Sequence, residues 1–235
     1  FWILGIDRAV QNAVSPAEYG LFYALFNFSF LFNILLDFGI TNFNNKNIAQ
    51  NNHLLSKHLS GIVVLRLLLA VVYLVVTLFT GYIIGYNSFQ LKLLLIMALN
   101  QFLASFILYL RSNLAGLHLF KTDSIISVLD RLIMIAICAL LLWGGITNAQ
   151  HPFRIEWYIY SQTAAYVISV IITLFIVFDK ARLKKLKWNA TFFIMILKKS
   201  YPYAILVLLM TFYNRIDAVM LERMLEDGKE QSSIY

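Results

Sequence analysis

Ionisable side chains interrupt several long apolar stretches of this chain, and they are the residues best suited to chemistry. They comprise five arginines and four aspartates: Arg8, Arg66, Arg111, Arg131 and Arg215, and Asp37, Asp123, Asp130 and Asp217. An ionised Asp or Arg at the centre of a bilayer costs roughly 2.5 to 3.5 kcal/mol, so such residues face a bundle interior or water. A guanidinium stays charged at any working pH and binds phosphate oxygens through two parallel hydrogen bonds. The arginines and aspartates therefore predict a polar site inside the bundle, with Arg131 and Arg215 the deepest of the arginines.

Helical spacing predicts which polar residues share a face. One stripe, with intervals of four, three and four residues, consists of Phe26, Phe30, Asn33 and Asp37. Asn100 and Arg111 share a second face, with Gln101, Ser105 and Ser112 beside it. A third set aligns Asp123, Ser127 and Asp130, next to a stripe of Ser124, Ser127 and Arg131. Because side chains at these intervals lie above one another on a helix, three polar edges predict a shared cavity.

The elements that position these side chains are membrane spans. Of the 235 residues, 60% are hydrophobic and 13% are charged, and the mean hydropathy is +0.74. A soluble core of this size could not bury so much apolar surface. Crossing the hydrocarbon core takes roughly 20 apolar residues. Six segments qualify: 18–40, 60–84, 91–112, 124–146, 157–178 and 201–225. The sequence predicts an all-α integral membrane protein, a polytopic helix bundle whose first helix is truncated.

Basic residues predict the orientation of the bundle. Segment 179–200 is the most basic part of the chain, with Lys or Arg at 180, 182, 184, 185, 187, 198 and 199. Lys and Arg concentrate in cytoplasmic loops. The segment is predicted to be a cytoplasmic amphipathic linker helix, or else a plain basic loop. Segment 41–59 is predicted to be a second interfacial helix. The net charge of +7 indicates lipid headgroups as partners rather than nucleic acid, because no groove-reading basic domain is visible.

No enzyme constellation is visible in the sequence. It has no phosphate-cradling glycine loop and no Ser, His and Asp set, so we expect no catalytic residues and no cofactor. Cys138 has no partner, and His53 and His58 are five residues apart instead of the four of a helical zinc site, so no metal site is expected. Some charges also have simpler explanations. Arg66 and Arg111 could snorkel to the headgroups, and Asp130 with Arg131 could be a local pair.

One stretch, "RAVQNAVSPAEYGLFYALFNFSFLFNILLDFGITNFNNKNIAQ", resembles the start of the polysaccharide and O-antigen flippases of the multidrug/oligosaccharidyl-lipid/polysaccharide exporter superfamily. The residues that carry the resemblance are Pro16, Glu18, Tyr19 and Gly20, then Asp37 and Gly39, and finally "YNRIDAVML" near the C-terminus. The resemblance implies a bundle of 12 to 14 helices in two lobes around a central cavity. It also implies a carrier of polyprenyl-diphosphate-linked oligosaccharide across the bacterial inner membrane. Residues 1–178 would then be the N-terminal lobe, 179–200 the linker, and 201–235 the first helix of the second lobe and the start of an outer loop.

The sequence leaves three functions open. The first is the flippase, with the five arginines around the diphosphate and alternating access between the lobes. The second is a proton- or sodium-coupled exporter of organic cations, with Asp37, Asp130 and Asp217 as ligands and Asp123 as a further carboxylate. The third is a scaffold whose polar residues only hold helices together. In the flippase, Arg215 and Asp217 point some 200° apart, at 100° per residue, and are expected to find partners across the lobes.

The charge pattern makes a testable prediction about topology. A reporter fused after Lys187 is expected to behave as cytoplasmic, and one fused after Thr147 as external, because the basic segment should stay inside. Paired phosphatase and fluorescent-protein fusions measure this directly. Opposite labelling of the two fusions would reverse the predicted orientation of every span.

Overall fold

The protein is a bundle of helices joined by short connections. The computed structural model describes residues 2–144, 153–181 and 188–224, with the backbone alone for 2–4, 16, 17, 181 and 211–224. A π-helical segment, Trp2–Asp7, leads into nine α-helices within these ranges. They are α1 (Arg8–Ala13), α2 (Pro16–Leu31), α3 (Ile34–Asp37), α4 (Ile40–Gln50), α5 (Leu55–Ile84), α6 (Ser88–Gly116), α7 (Phe120–Trp143), α8 (Ile155–Ala181) and α9 (Ala190–Met224). The predicted all-α class is confirmed.

Five described helices are long and apolar enough to cross a membrane, and a bent pair could form a sixth span. The five stretches are Asn52–Ile84, Ser88–Gly116, Phe120–Trp143, Ile155–Lys180 and Ala190–Met210. Much of their apolar surface faces outward. Along α5, for example, Val75, Phe79 and Ile83 follow one another every four residues and are each more than 60% exposed. In water such a surface would be unfavourable, whereas lipid chains cover it. The prediction of a polytopic membrane bundle is therefore confirmed.

The sixth span is broken where the sequence predicted one continuous helix over 18–40. Helix α2 begins at Pro16, where the Ser15 side chain accepts a hydrogen bond from the Glu18 N–H at 3.3 Å. It ends at Leu31, and a second break follows α3, where Phe38 (φ 46°) and Gly39 (φ 75°) are both left-handed. The two stretches Glu18–Leu31 and Ile34–Gln50 are bent by 43°. We call residues 32–39, which contain both breaks, the bend; beyond it, α4 packs into the bundle instead of continuing along the axis of α2.

Helix α4 packs closely against α6, a feature that the predicted interfacial helix over 41–59 did not include. The Asn44 amide is buried and donates to Ser112 Oγ (3.1 Å) and Asn113 Oδ1 (2.9 Å). Gly116 permits this approach, since a Cβ there would lie 2.8 Å from the Ile48 Cβ. The helix then ends at Gln50, and α5 begins at Leu55. An asparagine can occupy this buried face because its amide finds partners on α6.

Helix α9 is continuous from Ala190 to Met224, so the second half of the predicted linker 179–200 is helically joined to the predicted span 201–225. Pro202 lies inside it. Proline lacks the N–H that would bond to the carbonyl four residues earlier, yet neighbouring helices allow this in membrane spans. The division of the chain into lobe, linker and second lobe stays a prediction.

Gly39, at the end of the bend, is in direct contact with α9. A Cβ on Gly39 would lie 2.5 Å from the Ala204 nitrogen and 2.6 Å from the Ser200 carbonyl oxygen, both backbone atoms. Gly85 shares the positive φ, at 94°, but has open space around it. A side chain at either position would strain the backbone, but only a side chain at Gly39 would also collide with a neighbouring helix.

Alanine substitutions at these two glycines should differ in their effects on stability. Gly85→Ala is expected to lower the free energy of unfolding by about 1 to 2 kcal/mol, the cost of a left-handed alanine. Gly39→Ala should cost about 1 to 3 kcal/mol more, because the added methyl must push α9 away. Thermal unfolding of the purified intact protein in one detergent measures both. Equal losses would show that the contact with α9 contributes nothing.

Candidate functional site

A cavity of about 670 Å³ lies among α2, the bend, α6, α7 and α8. Its walls carry three of the predicted stripe residues in order, Phe26, Phe30 and Asn33, followed by Asp37 at the bend. Helix α6 contributes Asn100, Gln101 and Ser105, whereas α9 contributes Val207. Ligand sites commonly have volumes of about 300 to 1,000 Å³ and a few convergent polar groups. The first predicted stripe and part of the second thus line one cavity, whereas Arg111 and Ser112 of the second do not.

The charged wall of the cavity is provided by α7. Arg131 and Asp130 both line it, with 3.8 Å between Arg131 Nε and Asp130 Oδ2. The Arg131 side chain is 55% exposed, whereas that of Asp130 is 18% exposed. Among the other lining residues, Asn100 Nδ2 donates a hydrogen bond to Gln162 Oε1 at 3.4 Å. A cation that reaches the cavity and amides that can donate or accept hydrogen bonds suit an anionic, hydroxyl-rich ligand.

Aromatic rings form the other wall. Successive ring centroids along α2 are separated by 5.8 Å from Tyr19 to Phe22, 6.1 Å from Phe22 to Phe26, and 6.3 Å from Phe26 to Phe30. Tyr158 of α8 adds an edge-to-face contact with Phe22 at 5.3 Å. These rings line the cavity as a continuous row. Aromatic faces are electron-rich and apolar, so they offer a surface for the C–H groups of a ligand.

A carboxylate stands at the start of this aromatic row. Asp7 Oδ1 accepts hydrogen bonds from the Tyr19 hydroxyl at 3.2 Å and from the Tyr158 hydroxyl at 3.1 Å. All three residues line the cavity. The two phenols come from α2 and α8, so Asp7 joins the beginning of the chain to both helices.

Behind the opposite end of the cavity lies a buried ion pair. Arg66 of α5 is 1% exposed, and its Nη2 donates to Asp37 and to the Thr41 hydroxyl. Its Nη1 donates to the Ser105 carbonyl at 2.9 Å and to Ser105 Oγ at 3.1 Å. The guanidinium carbon also lies 4.7 Å from the centroid of the Tyr109 ring. The suggestion that Arg66 snorkels to the headgroups is wrong, because this side chain is directed into the bundle.

Asp37 connects the ion pair to the backbone of the bend. Its Oδ1 and Oδ2 accept from the Thr41 N–H at 3.2 and 3.4 Å, at the start of α4. A carboxylate is favoured there by the positive end of the helix dipole. Unlike Arg66, Asp37 reaches the cavity, with 25% of its side chain exposed.

The structure brings some of the predicted site residues to the cavity and separates others from it. Arg131, Asp130 and Asp37 line the cavity, and Arg66 lies behind Asp37. Arg111 and Asp123 do not line it; they form their own pair between α6 and α7, with 2.7 Å between Arg111 Nε and Asp123 Oδ1. Arg8 is exposed and is not among the lining residues. The Arg215 and Asp217 side chains lie outside the described residues.

Several residues that line the cavity were not predicted from the sequence. On α8, Tyr158, Gln162 and Tyr166 recur every four residues and line the cavity, a stripe visible in the sequence. Asp7 stands alone in the apolar run "FWILGID" and was overlooked beside Arg8. No group of three or more His, Cys, Asp and Glu side chains among the described residues is placed to hold a metal ion.

The exposures of Arg66 and Asp37 predict unequal effects of removing each partner. Asp37→Asn should lower the free energy of unfolding by about 3 to 5 kcal/mol, because it leaves a buried, uncompensated guanidinium. Arg66→Met should cost less, about 1 to 3 kcal/mol, because Asp37 keeps its bonds to Thr41 and reaches the cavity. The double variant should be more stable than Asp37→Asn alone. Thermal unfolding and membrane abundance measure all three; an equal cost for the two single variants would contradict the asymmetry.

Comparison with known proteins identifies the family to which the chain belongs. The chain matches the family model described as "Polysaccharide biosynthesis protein" over residues 9–232. The comparison with curated proteins and the comparison with solved structures each gave no match. The matched range includes α2 to α9 and so nearly all the residues that line the cavity. Because the match covers almost the entire sequence, the chain belongs to the polysaccharide biosynthesis protein family.

Proposed function

We propose that this protein is a flippase that moves a polyprenyl-diphosphate-linked oligosaccharide across the bacterial inner membrane for surface polysaccharide synthesis. The observation that carries the proposal is the composition of the cavity. One membrane-embedded space combines an accessible arginine, several carboxamides and a row of aromatic rings. A diphosphate-linked sugar presents the matching groups: an anion, many hydroxyls and apolar C–H faces. Family membership supports the same substrate class.

Arg131 is proposed to bind the diphosphate. In the structure its charge is partly balanced by Asp130, at 3.8 Å. A diphosphate carries more negative charge than one carboxylate, and its oxygens fit the two parallel donors of a guanidinium. Binding can therefore shift Arg131 from Asp130 towards the substrate. When the diphosphate leaves, Asp130 again balances the arginine, so the empty cavity does not hold an isolated charge.

The sugar is proposed to lie along the aromatic row. The faces of Phe22, Phe26 and Phe30 can contact sugar C–H groups, while Asn33 and Gln162 supply hydrogen-bond donors and acceptors. Aromatic contacts are tolerant of the identity of the sugar, because most pyranose rings offer a C–H face. Such a wall would accept a flexible oligosaccharide while Arg131 holds the diphosphate.

Alternating access is proposed to involve α9. Val207 of this helix lines the cavity, and α9 also contacts the bend through Gly39. Further along the same helix, Arg215 is proposed to receive the substrate phosphate after Arg131. Asp217 is proposed to pair with a cavity arginine in the empty state or to take a coupling proton.

A cation exporter on the same architecture is the second candidate. The described lining carries three carboxylates, Asp7, Asp37 and Asp130, against Arg131 as its one arginine. Arg66 compensates Asp37 and Arg131 lies beside Asp130, which leaves Asp7 as the surplus negative charge. Asp7→Asn separates the two functions. It should abolish proton- or sodium-driven efflux of an organic cation, whereas translocation of a lipid diphosphate should continue.

Arg131 provides the central test of the flippase. In the intact protein, Arg131→Ala should reduce translocation of the lipid-linked oligosaccharide by roughly 10- to 100-fold, since a charge-assisted contact is lost. Arg131→Lys should recover little, because lysine lacks the bidentate fork. Lipid-linked precursor flipped in vesicles, normalised to protein abundance, is the measurement.

Arg111→Ala is the matched control for this experiment. It removes the same type of side chain from a neighbouring pair that does not line the cavity. Transport by this variant should stay within about twofold of the unmodified protein. Normal transport by Arg131→Ala, or equal losses in both variants, would remove Arg131 from the proposed site.

A further inference from the structure

A second cavity, of about 420 Å³, lies between α4 and α9 and is distinct from the central one. Its lining includes Lys46 from α4 and both Lys198 and Lys199 from α9. Two carboxamides, Asn47 and Gln50, lie beside Lys46 on the same helix. No Asp or Glu is among the described residues that line it. We call this cavity the basic groove.

The arrangement of the groove follows from the spacing of its residues. On α4, Phe43, Lys46, Asn47 and Gln50 are separated by three, one and three residues, so they share one face. On α9, Lys199 and Tyr203 are four residues apart and share another. The Phe43 and Tyr203 rings meet at a centroid distance of 6.4 Å and join the two faces. Two helices therefore bring three lysines to one cavity that is also lined by two aromatic rings.

Three like charges around one cavity repel each other unless an anion lies between them. The amides of Asn47 and Gln50 can donate further hydrogen bonds to the same anion. A phosphate offers several acceptor oxygens and at least one negative charge, which matches this set of donors. Basic cavities between membrane helices are typical sites for phospholipid headgroups.

The surface of α9 beyond the groove indicates that the phosphate belongs to a lipid. Leu206 and Met210 continue the face of Lys199 and Tyr203 at intervals of three to four residues. Their side chains are 53% and 57% exposed, respectively. A lipid whose headgroup lies in the groove could therefore place an acyl chain along the apolar side chains of Leu206 and Met210. We propose that the basic groove binds the phosphate of an anionic membrane phospholipid, with an acyl chain along Leu206 and Met210.

Native mass spectrometry of the intact protein tests the proposal. The protein is equilibrated with equal amounts of phosphatidylglycerol and phosphatidylcholine, and the retained lipids are counted. Phosphatidylglycerol should be retained preferentially. The triple variant Lys46→Gln, Lys198→Gln and Lys199→Gln should lose this preference, by roughly fivefold for each lysine near the headgroup. Replacing the same three lysines by arginine should preserve it, because the charge remains.

A charge-matched control removes three lysines elsewhere: Lys92→Gln, Lys121→Gln and Lys180→Gln. These side chains are exposed and do not line the groove, so this variant should retain phosphatidylglycerol as the unmodified protein does. Equal losses in the two triple variants would indicate a non-specific charge effect and overturn the site. Preferential retention of a polyprenyl diphosphate at the groove, lost with the same lysines, would also overturn it, by assigning the groove to the transported substrate. Displacement of the lipid by millimolar inorganic phosphate would overturn the role of the acyl chain.

Discussion

The position of α4 in the bundle depends on the ion pair between Arg66 and Asp37. A guanidinium with 1% of its surface exposed cannot be solvated from outside, so the carboxylate must come to it. Asp37 does so from the end of α3, and in the same position it accepts the N–H of Thr41 at the start of α4. The ion pair thereby fixes the bend, and the bend places α4 against α6. A straight continuation of α2 would carry Asp37 to a different place and leave Arg66 without its carboxylate.

The two ion pairs at the cavity, Arg66 with Asp37 and Arg131 with Asp130, differ in burial and therefore in the roles that we propose for them. Asp37 reaches the cavity but is committed to Arg66 and to Thr41. Arg131 lines the cavity from α7, more than half exposed, with Asp130 Oδ2 3.8 Å from its Nε. Under the proposed function, the first pair preserves the shape of the cavity, whereas the second exchanges partners with the substrate. Burial is what separates the two roles, because a buried pair cannot open without a large desolvation cost.

Much of the architecture was predictable from the sequence, because the spacing of residues along a helix determines which of them share a face. The stripe of Phe26, Phe30, Asn33 and Asp37 lines the cavity even though the helix that carries it is broken. A break near position 32 preserves the side of each residue while changing the direction of the axis. The second break, at the end of α3, left little signal in the sequence, because Phe38 adopts a left-handed conformation that phenylalanine rarely has and only Gly39 indicated a turn.

The carboxylate partner of each arginine was harder to predict than the helix face on which the arginine lies. Arg66 and Arg111 looked alike in the sequence, as arginines near the predicted cytoplasmic ends of spans, yet one is buried against α3 and the other pairs with Asp123 of α7. Which carboxylate an arginine meets depends on distances between helices, which a single sequence does not contain. Asp7 illustrates the same limit, because its two tyrosine partners are 12 and 151 residues away.

The contacts of α9 link the bend, the central cavity and the basic groove. Its Ser200 and Ala204 backbone touches Gly39, Val207 enters the cavity wall, and Lys198 and Lys199 line the groove with α4. Gly39 is two residues from Asp37, so a displacement of α9 that presses on the bend also acts on the carboxylate that holds Arg66. Close-packed contacts of this kind transmit a shift rather than absorb it. If α9 moves during transport, as the proposed mechanism requires, a phospholipid bound between α4 and α9 would resist their separation. The lipid would then favour the conformation described here, with its effect set by how much more tightly it binds this state than the alternative.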